Sequence, residues 1–183
     1  MTIMRRFLIT LMMGLFLQLG NSPAAPITQI SVGSDYISSG YFLKADGSLW
    51  RVGYINSIAY LNTNNTLFAT NIAAVATNPR NDHTLLLKTD GSLWAFGENG
   101  FGQLGDGTTG TSTTVPEEIL SSNVIAIAVG ESHSVFIKTD GSLWAMGYNA
   151  YGQLGDGSTT SRSKPERIVA SNVVAVAAGV YHT

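Results

Sequence analysis

Residues Lys88–Gly107 read KTDGSLWAFGENGFGQLGDG, and the run returns at Lys138–Gly157 as KTDGSLWAMGYNAYGQLGDG, with sixteen of twenty positions identical at a spacing of fifty residues. A shorter copy, KADGSLW, stands upstream at Lys44–Trp50. A chain that writes one unit three times folds as an array, because a single unit of this size cannot bury its own apolar face and must stack on its neighbours.

The unit is spelled most clearly in its third copy. Asn123–Val129 (NVIAIAV) alternates small and branched apolar residues and is expected to be a strand buried on both faces, closed by Gly130. Ser134–Thr139 and Ser142–Met146 flank Asp140-Gly141, which predicts a β-hairpin on a two-residue turn with positive φ at both residues. Gly147–Gly157 is punctuated by glycine and cannot be regular, whereas Lys164–Val169, with Pro165 at its start, reads as a short outer edge strand. Four short strands per unit result, and the expected fold is all-β.

The second unit, 72–122, repeats the plan with Asp90-Gly91 at its turn and Pro116 before its last strand. It differs at Thr77–Asn81, where an extra loop replaces the simple glycine exit. The first unit, 27–71, keeps Asp46-Gly47 and Trp50, lacks GQLGDG over Arg51–Thr70, and is expected to be a looser end unit. A fourth begins at Asn172 (NVVAVAAGVYHT) and covers 172–183.

Residues 1–24 read as a secretory signal outside the fold. Arg5 and Arg6 precede the apolar run Phe7–Leu19, and the small residues around Ser22-Pro23-Ala24 suit cleavage near Ala24 or Ala25. The run is too short to cross a bilayer comfortably, so the expected location is secreted, periplasmic or cell-surface, with an uncleaved anchor as the rival and no other membrane contact. With no cysteine in the chain, disulfides, thiol catalysis and cysteine-rich zinc sites are excluded. Only 12% of residues are charged, the net charge is −2 and no Lys/Arg block exists, which argues against nucleic acid as a partner.

The order apolar strand, Gly, His, DGSLW, G-x-N-x-x-GQLGDG and P-x-x-I resembles the repeat of the regulator of chromosome condensation family, clearly in units two and three and weakly in unit one. The resemblance implies a β-propeller of about seven four-stranded blades around a channel. Three blades plus the first strand of a fourth cannot close such a ring. The expectation for 25–183 is therefore a partial β-propeller with an exposed sheet face, either a fragment, which the stop inside a unit favours, or one of several chains that complete the ring together. The family includes nuclear guanine-nucleotide exchange factors and secreted β-lactamase inhibitors; a signal segment leaves the second kind of role open.

Side chains with chemistry fall mostly on repeat positions. His83, His133 and His182 recur seven residues before the turn where one follows, with Ser39 there in unit one. Convergent imidazoles could hold a metal, but a position belonging to every repeat is expected to satisfy backbone groups inside its own blade. Asp46, Asp90 and Asp140 in the turns, and Asp106 and Asp156 in the GQLGDG loops, read as turn caps. Repetition supplies one environment, whereas a catalytic pair needs two. Residues that break the repeat are better candidates: Glu98, Glu131, and Arg80 with Asp82.

The glycine-rich loops lack the Lys-Ser/Thr and following helix of a phosphate loop. In DGSLW, Gly follows Asp directly, unlike the aspartate box of sialidase-type propellers. Trp50, Trp94 and Trp144 read as packing aromatics. No catalytic residue, metal site or cofactor is assigned, and the chain is not expected to be an enzyme.

The leading functional expectation is a secreted, non-catalytic interaction module that presents loops Thr108–Val115 and Ser158–Lys164 to a protein or glycan. One alternative is an enzyme acting on extracellular polysaccharide, for which only Glu98 and Glu131 qualify as unrepeated acids. Another is a carbohydrate-binding propeller using Phe101 and Tyr151, which are otherwise expected to pack under the adjacent loop.

Overall fold

The computed structural model describes residues 25–32, 39–53, 66–78 and 83–183. The signal reading of 1–24 and the inserted loop with Arg80 and Asp82 lie outside the described residues. Among those described, the chain forms twelve strands and no helix. The first sheet holds β1 (Ile27–Val32), β2 (Ser39–Lys44), β3 (Leu49–Gly53) and β4 (Thr66–Ala69). The second holds β5 (Ile72–Thr77), β6 (His83–Lys88), β7 (Leu93–Gly97) and β8 (Thr113–Leu120), and the third β9 (Val124–Val129), β10 (His133–Lys138), β11 (Leu143–Gly147) and β12 (Arg162–Val169). Each sheet is an antiparallel meander in chain order. The inner edge β5 neighbours β1 on one side and β9 on the other, which is how blades stack about an axis.

Three local expectations are corrected. The hairpin loops have three residues: Gly91 N bonds Lys88 O and Lys88 N bonds Ser92 O, each at 3.0 Å, with the same pattern at Lys44–Ser48 and Lys138–Ser142. Only the glycine takes positive φ, at +77°, +81° and +76° for Gly47, Gly91 and Gly141. This is a type I turn closed by a left-handed glycine, so Asp keeps an ordinary φ and has its carboxylate free to cap the turn. The first strand of a blade is not buried on both faces. In β9 only Val124 is buried, because a strand at a sheet edge has one partner; the buried runs are the second strands, β6 and β10, from their histidines to Leu87 and Ile137.

The third correction concerns the outer strands, which span eight residues rather than six. Pro116 and Pro165 lie inside them, and an outer edge tolerates the missing N–H. Matched register shifts near Leu93/Trp94 and Leu143/Trp144 bend both outer pairs alike.

The seams between sheets are built from repeat positions. Ile72 N and Val124 N donate to the turn carbonyls of Gly47 and Gly91 at 3.0 Å, and Val173 N to that of Gly141 at 2.9 Å. The residue before each of these, Asn71, Asn123 or Asn172, is left-handed, a conformation asparagine tolerates better than most. At the first seam Gln29 bonds both backbone groups of Val75, standing in for a missing ladder rung. At the second, Leu85, Leu87, Leu93, Ala95 and Leu104 meet Val124, Phe136 and Met146. Each fully buried leucine there contributes roughly 1.5–3 kcal/mol relative to exposure.

The fourth unit makes the seam contacts of a first strand without the ladder. Gly179 N bonds His182 O at 2.8 Å as Gly130 N bonds His133 O. The expected first strand of a fourth blade is not formed: residues 173–179 join no strand ladder among the described residues.

Candidate functional site: the GQLGDG loops and the blade seams

Each G-x-N-x-x-GQLGDG loop is wound around its asparagine. Asn99 is fully buried; its carbonyl oxygen Oδ1 accepts Leu104 N at 3.1 Å, and its amide donates to Asp106 Oδ1 at 3.1 Å and Thr108 Oγ1 at 3.0 Å. Asn149 does the same with Leu154 N at 2.9 Å and Asp156 Oδ1 at 3.0 Å. Gln103 and Gln153 accept the N–H of Phe101 and Tyr151 at 2.9 and 3.0 Å, which fixes the aromatic residue in each loop. Gly102, at φ +81°, is pressed on the next blade: a Cβ there would lie 2.5 Å from Ser163 Cα. The motif thus specifies a rigid loop and half a seam.

The carboxylates are engaged as caps. Asp46, Asp90 and Asp140 each accept the Ser hydroxyl and N–H two residues on, which hold them below the usual carboxylate range. Those hydroxyls accept the indole N–H of Trp50, Trp94 and Trp144 at 2.8–2.9 Å, and Lys44, Lys88 and Lys138 place their ammonium groups 4.6, 3.6 and 4.1 Å from the same rings. For Asp106 burial pushes upward, but the N–H and hydroxyl of Thr108 and the amide of Asn99 outweigh it and the net shift is down. Asp156 is held at about 2, chiefly by Ser158 N–H, then by Ser158 hydroxyl, Arg162 at 2.9 Å and Asn149. All five shifts favour the ionised form, so none of these groups is prepared to donate a proton near neutrality.

Two of the three histidines, His83 and His133, clasp adjacent blades, which corrects the expectation that each serves its own blade, while His182 is exposed. His83 Nε2 lies 3.0 Å from Ser134 Oγ in the third sheet, and that hydroxyl donates to Gln103 O at 2.8 Å. His133 Nε2 lies 3.1 Å from Thr183 Oγ1, which donates to Gln153 O at 2.9 Å. A hydroxyl has one hydrogen, already given to the carbonyl, so Nε2–H must be the donor in both clasps. Burial, then the charge of His182, lower the His133 pKa to about 4. The His182 backbone pulls the other way and is outweighed, and His133 Nδ1 is buried without a hydrogen-bond partner. Among the described residues no group of three or more His, Cys, Asp or Glu is placed to hold a metal.

Phe101 and Tyr151 do not pack under their loops. They are 43% and 69% exposed, Tyr181 is 52% exposed, and with half-buried Tyr148 they form one chain of rings. Centroid separations are 4.5 Å for Phe101–Tyr148, 6.0 Å for Tyr148–Tyr151 and 5.0 Å for Tyr151–Tyr181. The arc crosses from the second blade to the fourth unit. Tyr148 stands where the second unit has Glu98, and neither it nor Tyr181 is singled out in the sequence; the recurring aromatic before GQLG was the available signal. Glu98 is exposed, and Glu131 Oε2 is buried without a hydrogen-bond partner.

Comparison with known proteins follows the repeat. The model of the regulator of chromosome condensation (RCC1) repeat matches residues 90–137 and 140–183, and a second model of that repeat matches 124–153. Yeast RCC1 (Prp20), solved bound to Kap60, superposes with a TM-score of 0.68 at 23% identity over 88% of this chain and 41% of that one. Prp20p from Saccharomyces cerevisiae, in a study of its binding to Gsp1p and histones, gives a TM-score of 0.67 at 19% identity over 84% of this chain and 42% of that one. At such identities the likeness establishes fold, and the chain spans about two fifths of either structure. No curated protein matches. The architecture is a partial β-propeller, and with two successive repeats matched over half its length the chain belongs to the regulator of chromosome condensation repeat family.

Proposed function

We propose that this protein is a secreted, non-catalytic module that binds another protein through the loops at the GQLGDG end of its blades. The observation that carries the reading is the contrast inside each loop. Asn99 and Asn149 lock its base, while the adjoining segments, TTGTST at 108–113 and STTSRS at 158–163, are largely exposed and differ between blades. Variable side chains on an ordered frame suit recognition. The relatives support a protein partner, since Prp20 is described bound to Kap60 and tested with Gsp1p and histones. The five capping carboxylates support a non-catalytic role. Export rests on Arg5, Arg6, the run Phe7–Leu19 and the small residues before Ala25.

Ring completion, by further blades or by other chains, belongs to the same proposal: Leu143 and Ile168 on the far side of the third sheet match Leu93 and Ile119, which the third sheet covers. The test is expression of the full chain with both exposed segments replaced by Gly-Ser, followed by fractionation and N-terminal sequencing. Export with a mature start near Ala25, and loss of partner capture at unchanged melting temperature, is the expected result. Intracellular retention overturns the secretory part, and hydrolysis of polysaccharide that disappears in Glu98→Gln overturns the non-catalytic part.

A further inference from the structure

Charge and aromatic surface are segregated along the strands. Lys44, Lys88 and Lys138 stand at the Asp-Gly end, each held over a tryptophan ring. The opposite end, where β7 and β11 run out, carries the arc Phe101–Tyr148–Tyr151–Tyr181 together with Glu98 and Glu131. Among the described residues at this end, Arg162 is paired with Asp156 at 2.9 Å, and the Lys164 stem lies against Gly107, where an added Cβ would come within 2.8 Å of its Cε. Ser132, beside Glu131, accepts Tyr148 N at 2.8 Å, which sets that glutamate next to the arc.

Resting on the interaction-module reading, we propose that the arc is the contact surface for an arginine-bearing segment of a partner protein. Exposed tyrosine rings attract a cation over their faces, and a guanidinium can stack on a ring while its fork reaches a carboxylate, which an ammonium cannot do. The loop composition, tyrosine among Gly, Asn, Ser and Thr, is that of adaptable protein-binding loops. A glycan suits the arc less well. A sugar chain stacks on a row of rings that share a plane, whereas successive rings here are inclined to one another by 51°, 77° and 59°; a guanidinium needs the face of a single ring.

The experiment titrates the full chain into fluorescein-labelled octa-arginine, with octa-lysine as the cation control, and follows anisotropy; cellohexaose is tested by tyrosine fluorescence. Octa-arginine is expected to bind several-fold more tightly than octa-lysine. Tyr151→Ser with Tyr181→Ser is expected to weaken it about tenfold, in the range for truncated aromatic anchors, and Glu98→Gln about twofold with a shallower salt dependence. Melting temperatures should be unchanged, and Tyr151→Ser alone, at the most exposed ring, serves if the double variant folds poorly. Equal affinity of parent and variant, no octa-arginine binding, or arc-dependent binding of cellohexaose overturns the proposal. The interaction-module reading fails separately, if replacing the exposed loop segments leaves partner capture intact.

Discussion

The second and third sheets carry nearly the same residues on the side facing forward along the array, yet only the second is covered by a whole sheet; the third is met in part by Val176 and Ala178 of the fourth unit. Leu93 is wholly buried under the third sheet, whereas Leu143, its counterpart, is partly exposed; Gly105 is buried against the Met146 thioether and Gly155 is open. Leu104 and Leu154, each held by an asparagine of its own loop, are buried to the same degree, at 1% exposure. Contacts inside a blade therefore survive where the next blade is only begun, with Val176 and Ala178 beside Leu154, and contacts that need a whole neighbouring sheet do not. The difference separates what one repeat encodes from what only two repeats in contact can produce.

The sharpest way to break the comparison is one substitution placed in both contexts. Gly102 and Gly152 share a left-handed φ, but a Cβ on Gly102 meets Ser163 Cα at 2.5 Å while one on Gly152 meets only Ser158 O at 3.9 Å. Gly152→Ala should cost about 1 kcal/mol, the strain of a left-handed alanine. Gly102→Ala adds overpacking of about 1–3 kcal/mol to that strain. Urea unfolding midpoints of the two variants measure the gap directly; equal losses would mean that the seam yields freely.

Acid tests the clasp next. The folded-state pKa of His133 is depressed to about 4 from 6.5, so the unfolded chain binds the proton more readily. Its contribution is complete above about pH 6.5 and is lost as pH falls toward 4, on the order of 2–3 kcal/mol in all. The capping aspartates, whose folded pKa values are also lowered, lose theirs at lower pH still, through the carboxylate range. A stability–pH profile of the parent should therefore decline in two stages. His133→Gln should flatten the first while leaving the second.

The smallest expected effect sharpens the same contrast at the hydroxyl of the clasp. Ser134 is fully buried, so Ser134→Ala removes its hydrogen bonds to His83 Nε2 and the Gln103 carbonyl at a cost of about 1–3 kcal/mol. Thr183 is exposed and water can replace its hydroxyl, so Thr183→Ala should cost no more than about 0.5 kcal/mol. Thermal denaturation of both variants is sufficient to rank them.

Several elements were legible in the residues alone, for reasons the structure makes plain. Strand pairs announce themselves when Asp-Gly separates two apolar runs, because few other pairs combine a turn-capping carboxylate with a left-handed glycine. Turn length was misread since two-residue and three-residue loops share that dipeptide, and the difference lies in which carbonyl closes the ring. Burial of the first strand was overestimated from its composition; β9 is apolar along its length, yet Ile125 is 53% exposed at the inner edge. The candidate surface was half visible. Phe101 and Tyr151 stood out at matching places, but their union with Tyr148 and Tyr181 joins residues up to eighty positions apart.

By itself the sequence determined the unit: its four strands, its turn caps, and the asparagine on which each GQLGDG loop is wound. Those follow from interactions inside one unit, between residues no more than 27 positions apart in the paired strands, which any copy can make alone. Tertiary structure decided the rest, namely which histidine reaches which hydroxyl, which glycine is crowded, and which aromatic rings meet in the open. Those contacts join atoms of different blades, so their geometry exists only once two copies have packed.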